Sequence, residues 1–209
     1  MISLRTSTYN PNCMDTQLPR CWKTTDPLYV KYHDEEWGVP LHDDNKFFEF
    51  LVLDGFQAGL TWGLILQRRE DLKKGFSNFD PKKVANYTAI DVERLMQTPK
   101  IIHNKLKIKA TINNASKFLA IQKEFGSFDA YIWRFVEGKP IINGFASLAD
   151  LPAETSQSRT MSQDLKARGF QFVGPTICYA FMQAAGLVND HLTCCFRHKQ
   201  IQEGQKTHP

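Results

Sequence analysis

The sequence predicts an all-α protein, and three observations carry the prediction. Apolar residues recur at helical spacing along most of the chain. The breaks between those runs hold helix-capping residues. No alternating strand pattern of useful length occurs. About seven or eight helices are expected, in one domain with neither a clear linker nor an internal repeat.

Taken in order, residues 1–20 show no periodicity and are rich in Ser, Thr, Asn and Pro, which predicts a flexible N-terminal extension that includes Cys13. The stretch from Cys21 to Pro40 crowds Trp22, Tyr29, Tyr32, His33, Asp34, Glu35, Glu36 and Trp37 together with neither helical nor strand periodicity. Such a mixture is either a pocket wall or an ordered loop packed on the core, and ordinary packing is the plainer reading. A helix should start at Asp43 or Asp44 and carry Phe47, Phe48, Phe50, Leu51, Val52 and Leu53; apolar on nearly every side, it should be central and buried.

Asp54 closes that run, as a carboxylate turned to solvent or as one held in a pocket for a purpose. From the residues alone the solvent-facing reading is favoured. Gly55 to Thr61 then forms a glycine-bracketed loop with Gln57 and Leu60 exposed, and Thr61 caps a helix through Trp62, Ile65, Leu66 and Leu72 to Gly75. Asp80-Pro81 and Thr88 with Asp91 mark two further helix starts. Pro99 breaks the chain before a long amphipathic helix through Leu106, Ile112, Ala115, Leu119 and Ile121. Ser127 to Val136 is another helix, Ile141 to Ser158 is irregular, and a helix from Thr160 to Arg168 leads into Gly169-Phe170-Gln171-Phe172-Val173-Gly174-Pro175.

That stretch is expected as a tight turn in which Gly169 and Gly174 take φ > 0, with Pro175 in the first turn of a helix that stops at Gly186. The amides at the mouth of such a helix suit a phosphate, although an ordinary helix–turn–helix corner fits as well. Behind it crowd Asp190, His191, Cys194 and Cys195, with His191 and Cys195 at i and i+4, on one face if helical. Cys21 and His33 could supply two more ligands. Four nitrogen and sulfur ligands with no open position describe a structural Zn²⁺, though split pairs are a less specific signal than paired C-x-x-C motifs.

At 209 residues, 42% hydrophobic and with 15 phenylalanines, the chain is long enough for a sizeable core. No apolar run reaches membrane-spanning length and no signal-peptide pattern opens the chain, so a soluble, cytoplasmic protein with no membrane partner is expected. Five cysteines, an odd count, do not make a disulfide framework. A net charge of +4 permits a nucleic-acid partner without requiring one. Lys100, His103, Lys105, Lys107 and Lys109 form one basic cluster, and Lys166, Arg168, Arg197, His198 and Lys199 another; solvated helix faces are the plain account of both.

Several segments resemble the DNA-3-methyladenine glycosylase I family, a branch of the helix-hairpin-helix DNA glycosylases. They are Asp26-Pro27-Leu28-Tyr29, Tyr32-His33-Asp34-Glu35-Glu36-Trp37-Gly38-Val39-Pro40, Gln57-Ala58-Gly59-Leu60-Thr61-Trp62 and Phe79-Asp80-Pro81, then Gly169 to Cys178 and Gly186-Leu187-Val188-Asn189-Asp190-His191. They fall in the family's order from Cys21 to Cys195.

The resemblance implies a helix-hairpin-helix glycosylase fold over residues 21–198, followed by a flexible tail at 199–209. It implies a DNA-repair enzyme of base excision that flips 3-methyladenine out of alkylated double-stranded DNA and hydrolyses its N-glycosidic bond; no lysine is obviously placed to form a Schiff base, so no lyase step is expected, and a monomer is expected. It implies one structural Zn²⁺ on Cys21, His33, His191 and Cys195, the four residues already marked by their chemistry. The hairpin with Gly169 and Gly174 would hold a phosphate, and Gln57, Gly59 and Leu60 would enter the duplex where the base has left. The catalytic pocket would hold Asp54, Tyr32 and Trp62, with Trp22, Tyr29 and Trp37 binding the base.

The sequence departs from the family in two places. Asp54 stands where the family usually has Glu, and the connection from Cys21 to Tyr29 is one residue shorter than usual, which puts the contribution of Trp22 in question. The aspartate many helix-hairpin-helix glycosylases carry just past the hairpin helix is absent, with Asn189 in its place. The alternatives are a same-fold glycosylase with altered base choice and a catalytically weak zinc-stabilised DNA-binding module.

Overall fold

The computed structural model describes residues 18–204; the extension expected over 1–20 therefore falls mostly outside the described residues, as do Cys13 and residues 205–209. The described chain is α-helical, with one parallel pair of two-residue strands, β1 (Ile141–Ile142) and β2 (Val188–Asn189). The hydrophobic centre is α2 (Asp44–Gln57), whose Phe47, Phe48, Phe50, Leu51, Val52, Leu53 and Phe56 are all buried. Around it pack α3 (Trp62–Gly75), α6 (Lys105–Phe125), α7 (Phe128–Ile132) and α9 (Pro175–Ala184).

The expected caps set most of the helix starts. Asp43 accepts from the Lys46 amide, Thr61 from Leu64, and Asp80 from Lys82 and Lys83 at the head of α4 (Pro81–Val84). Thr88 and Asp91 form a capping box at α5 (Ala89–Gln97), and Ser127 caps α7; Asn104, which the sequence did not single out, caps α6. Each satisfies amides that the helix itself leaves without partners. α6 ends at Gly126, where φ is +87°.

Six local expectations are corrected. The stretch Cys21–Pro40 contains a helix, α1 (Pro27–Glu35), started by an Asp26 cap and Pro27. Its inner face is built from Tyr32 and His33, so aliphatic periodicity did not reveal it. α2 runs on to Gln57, which places Asp54 and Gly55 inside the helix. The span Ser127–Val136 is α7 followed by a 3₁₀ turn over Trp133–Val136. α8 (Ser156–Ala167) begins well before Thr160 because Thr155 caps it through the Ser158 amide. The segment from His191 to Cys195 is loop, so its ligands do not share a helix face. Finally α10 (Phe196–Gly204) occupies the start of the expected tail, with Ile201 buried.

The two ends of the described chain are tied together near α9. The Gly38 amide donates to the Gln183 carbonyl at 2.9 Å, Leu41 to Ala185 at 3.1 Å, and Phe196 to Pro19 at 3.1 Å. Gly186 has φ +68°, and a Cβ there would lie 2.2 Å from the carbonyl carbon of Val39, so only glycine allows the two strands of chain to approach so closely. No helix among the described residues is long and apolar enough to cross a membrane.

Candidate active site, anion hairpin and metal-ligand cluster

Three elements converge on a cavity of about 480 Å³. α1 contributes Tyr29 and Tyr32, one helical turn apart, α2 contributes Asp54 and Gln57, and the first residue of α3 is Trp62. Trp22 and Trp37 complete the aromatic wall. The Trp22 ring lies parallel to Tyr32 (6.2 Å, 12°), edge-on to Tyr29 (5.8 Å, 86°) and 4.7 Å from Trp37, while Tyr32 meets Trp62 at 5.0 Å. The shorter connection after Cys21 thus still delivers Trp22 to the cavity. π faces of this kind attract cations and stack on planar rings.

Within that aromatic box sits one carboxylate. Asp54 is 2% exposed, its Oδ2 has no hydrogen-bond partner, and burial holds its pKa well above the usual carboxylate range. The solvent-facing reading is overturned: continuation of α2 past Leu53 turns the side chain inward. The Trp62 Nε1 is likewise buried without a partner. The Tyr32 phenol is pushed above its usual range, first by burial and then by the Asp54 charge, so it stays neutral. An unpaired buried acceptor and an unpaired buried donor lining one cavity are unusual in a packed core and suit a polar, planar ligand.

Sequence reasoning missed several lining residues. Lys23 and Thr24 follow Trp22 along the wall, Leu151 lies just past a 3₁₀ turn (Leu148–Asp150), and Ala180 and Gln183 come from α9. Nothing local marks Gln183; its role shows only in space, where its Nε2 donates to Asp190 at 2.8 Å. Asp190, which also accepts from Tyr179 and Asn143, is thereby fully engaged. Arg69 on α3 donates to Glu36, the residue that ends α1, through both terminal nitrogens (2.8 and 2.7 Å) and to Glu49 on α2 at 2.7 Å, tying the end of α1 to α2 and α3.

The turn Ala58–Thr61 follows α2. Gly59 has φ +76° with open space where a Cβ would stand, and Leu60 is 37% exposed, as expected of a protruding tip. The hairpin lies between α8 and α9, which pack on each other. Gly169 takes φ +87° with Lys117 packed against it, but Gly174 has φ −63°, and the second left-handed residue is Phe172 (φ +55°). Glycine at 174 therefore does not serve the turn; a Cβ there would meet nothing within 4 Å, so it leaves a clear approach to the backbone. Gly174 is the N-cap of α9 and supplies no side-chain acceptor, so the first amides of the helix face outward unused.

Cys21, His33, His191 and Cys195 meet in one buried cluster, their ligand atoms all within 4.8 Å of one another; Asp190 and Cys194 are not part of it. The His191 Nδ1 stands 3.5 Å from the sulfurs of both Cys21 and Cys195, and the His33 Nε2 is 3.5 Å from Cys195. The far ring nitrogens are engaged, Nδ1 of His33 with Asp34 at 2.8 Å and Nε2 of His191 with the Trp37 carbonyl at 2.9 Å. Arg20 in turn donates to both oxygens of Asp34. Burial keeps His191 neutral, and the bond from the Cys21 thiol draws Cys195 toward thiolate. Asn189 is buried and spent on the His198 carbonyl and the His191 amide.

Comparison with known proteins follows the same lines. The family model for methyladenine glycosylase matches residues 22–198. The DNA-3-methyladenine glycosylase 1 of Escherichia coli K12 is 47% identical over 182 residues, covering 86% of this chain and 97% of that protein. A crystal structure of a 3-methyladenine DNA glycosylase I superposes with a TM-score of 0.82 at 50% identity, over 85% of this chain and 98% of that one. A Tyr-to-Phe variant of such an enzyme in complex with 3-methyladenine superposes with a TM-score of 0.81 at 39% identity, over 83% of this chain and 93% of that one.

Proposed function

The chain belongs to the methyladenine glycosylase family, and from that premise we propose that it excises 3-methyladenine from alkylated duplex DNA as a monofunctional glycosylase, hydrolysing the N-glycosidic bond without cutting the strand. The observation that carries this reading is the unpaired Asp54 carboxylate buried among Trp and Tyr rings. A 3-methylated adenine nucleotide is a cation with a weakened glycosidic bond, so its base leaves without being protonated first. Aromatic faces bind such a base by stacking and cation–π attraction, and the carboxylate accepts from its exocyclic amine.

The raised pKa of Asp54 suits this task. An empty pocket keeps the group protonated longer than an exposed aspartate, and an arriving cation favours the carboxylate and displaces the proton. The charge pair then forms in a dry site, where it is stronger than in water. Catalysis comes from extruding the nucleotide, holding its cationic base and admitting water to the sugar.

The outer parts serve the same reaction. Leu60, with Gln57 and Gly59, fills the stack that the base vacates, and the amides ahead of α9 hold a backbone phosphate past Gly174.

The Cys21, His33, His191 and Cys195 cluster holds Zn²⁺ in this reading. With Zn–S about 2.3 Å and Zn–N roughly 2.0–2.1 Å, a tetrahedral site has S···N edges of about 3.5 Å, matching the separations of 3.5 Å seen here. Four protein ligands would close the coordination sphere, so the ion's role is to join the segment around Cys21 to that around Cys195.

Incubation with methylated duplex DNA tests the proposal. Free 3-methyladenine should appear while the strand stays intact until alkali is added; strand breaks formed without alkali would contradict the monofunctional reading.

A further inference from the structure

Lys107 belongs to the basic cluster whose plain account is a solvated helix face, but it does not face solvent. It is 6% exposed, and its Nζ donates to the carbonyls of Phe56 (2.7 Å) and Ala58 (2.5 Å). Those are the last turn of α2 and the first residue of the turn that carries Leu60. Both of its polar contacts are to main-chain carbonyls, and burial lowers its pKa. An ammonium there meets the negative end of the α2 dipole and carbonyls the helix leaves without partners.

Seven residues further along α6, on the same face, Asn114 donates to the Gln171 carbonyl at 2.8 Å and accepts from the Gln171 amide at 2.9 Å. Asn113 adds a bond to the Gly169 carbonyl at 2.8 Å. One helix thus grips the backbone of both loops that the proposed function turns toward DNA. The Leu60 turn needs that grip. Gly59 has nothing within 4 Å of its Cβ position, and the turn's own closure is a single bond from the Leu60 amide to the Gln57 carbonyl.

We infer that Lys107 is a positioning residue for base extrusion: with Asn114 it makes α6 a strut that fixes the Leu60 tip relative to the phosphate-holding hairpin. A wedge holds a vacated stack open only if its base resists being pushed back. Two bonds from a buried ammonium to the carbonyls beneath the tip provide that resistance. This inference rests on the proposed function, because it assigns Lys107 a part in extrusion and none in reading the base.

The test is a double-mutant cycle between Lys107→Met and Leu60→Ala, read as single-turnover release of 3-methyladenine from duplex DNA, with affinity for the free base measured alongside by tryptophan fluorescence. Lys107→Met should slow release roughly ten- to a hundredfold, the scale of losing hydrogen bonds from a charged donor. Free-base affinity should stay within about twofold. In the Leu60→Ala background the same substitution should cost less than about twofold, since a missing tip needs no support. An undiminished cost in that background, or a parallel fall in base affinity, overturns the inference. Should the Met variant fold poorly, Lys107→Gln carries the same cycle. If the unsubstituted protein releases no base, the proposed function fails, and the strut is judged by the same non-additivity in affinity for an abasic-site duplex.

Discussion

Replacing Asp54 by Asn separates what the buried carboxylate costs the fold from what it does for the reaction. Asp54 is 2% exposed, with an oxygen that finds no partner. Burial raises its pKa in the folded protein, while the unfolded chain titrates near the ordinary value of about 3.9. The folded state therefore keeps a proton that the unfolded state has already released. Stability falls as pH rises from about 4 toward the folded pKa and is level above it. Asn carries no charge and escapes this loss, so Asp54→Asn should match the unsubstituted protein near pH 4 and exceed it at pH 8. An unsatisfied buried group costs about 1–3 kcal/mol, which is roughly 2–4 °C in Tm per kcal/mol for a chain of this size.

Activity should move the other way. Loss of the charge that favours a cationic base should slow excision roughly ten- to a hundredfold, and the rise of activity with pH that follows Asp54 ionisation should vanish in the variant. Thermal melts at pH 4 and pH 8, with base release measured across the same range, decide it. An Asn variant no more stable at pH 8 and equally active would show that the carboxylate is neither strained by burial nor the reader of the base. Asp54→Glu, which restores the longer side chain usual in the family, should excise as fast or faster.

Three further predictions concern the frame around the pocket. With zinc held by the cluster as proposed, His191→Ala should take the metal content from one ion per chain toward none and lower Tm by roughly 5–10 °C; full zinc content by atomic absorption would remove His191 from the ligand set. Gly174→Leu should leave Tm within about 2 °C, because φ is −63° and the space beside it is open. It should still weaken binding to an abasic-site duplex with free 3-methyladenine affinity unchanged, and unaltered duplex affinity would place the phosphate elsewhere. Arg69→Met leaves Glu36 without its bidentate partner and Glu49 with Lys46 alone, and should cost about 1–3 kcal/mol at pH 7. Burial raises the Glu49 pKa, but Arg69 and Lys46 outweigh it and hold the carboxyl below its usual range. The Arg69 contribution is thus present above the unfolded value and fades as pH falls below about 4, so an undiminished deficit at pH 3 in denaturant titrations would contradict it.

The helical class and most element starts were legible because capping is local chemistry: Asp80-Pro81 and Thr88 with Asp91 act within a few residues of themselves. α1 shows the limit. Its Asp26-Pro27 start uses the same signal as Asp80-Pro81, yet a buried face of Tyr32 and His33 hides the period that would have confirmed it. The four zinc-ligand candidates stood out by residue type, but the His191–Cys195 segment is loop, because contacts with the chain near Cys21 and Trp37 shape it. Asp54 and Lys107 were misjudged for one reason: a charged side chain is presumed to face water. Where each points depends on whether the neighbouring element continues past it, and that is decided by packing far away in sequence. Gly174 was read as a conformational glycine when its value lies in the space it leaves empty.

In the proposed function, a carboxylate in a box of aromatic rings selects a cationic adenine. Chromatography of every base released from dimethyl-sulfate-treated duplex DNA tests it most directly. Free 3-methyladenine is expected as the dominant product, with the yield falling sharply for Asp54→Asn. Release of 7-methylguanine at a comparable rate, or of no base at all, would contradict it.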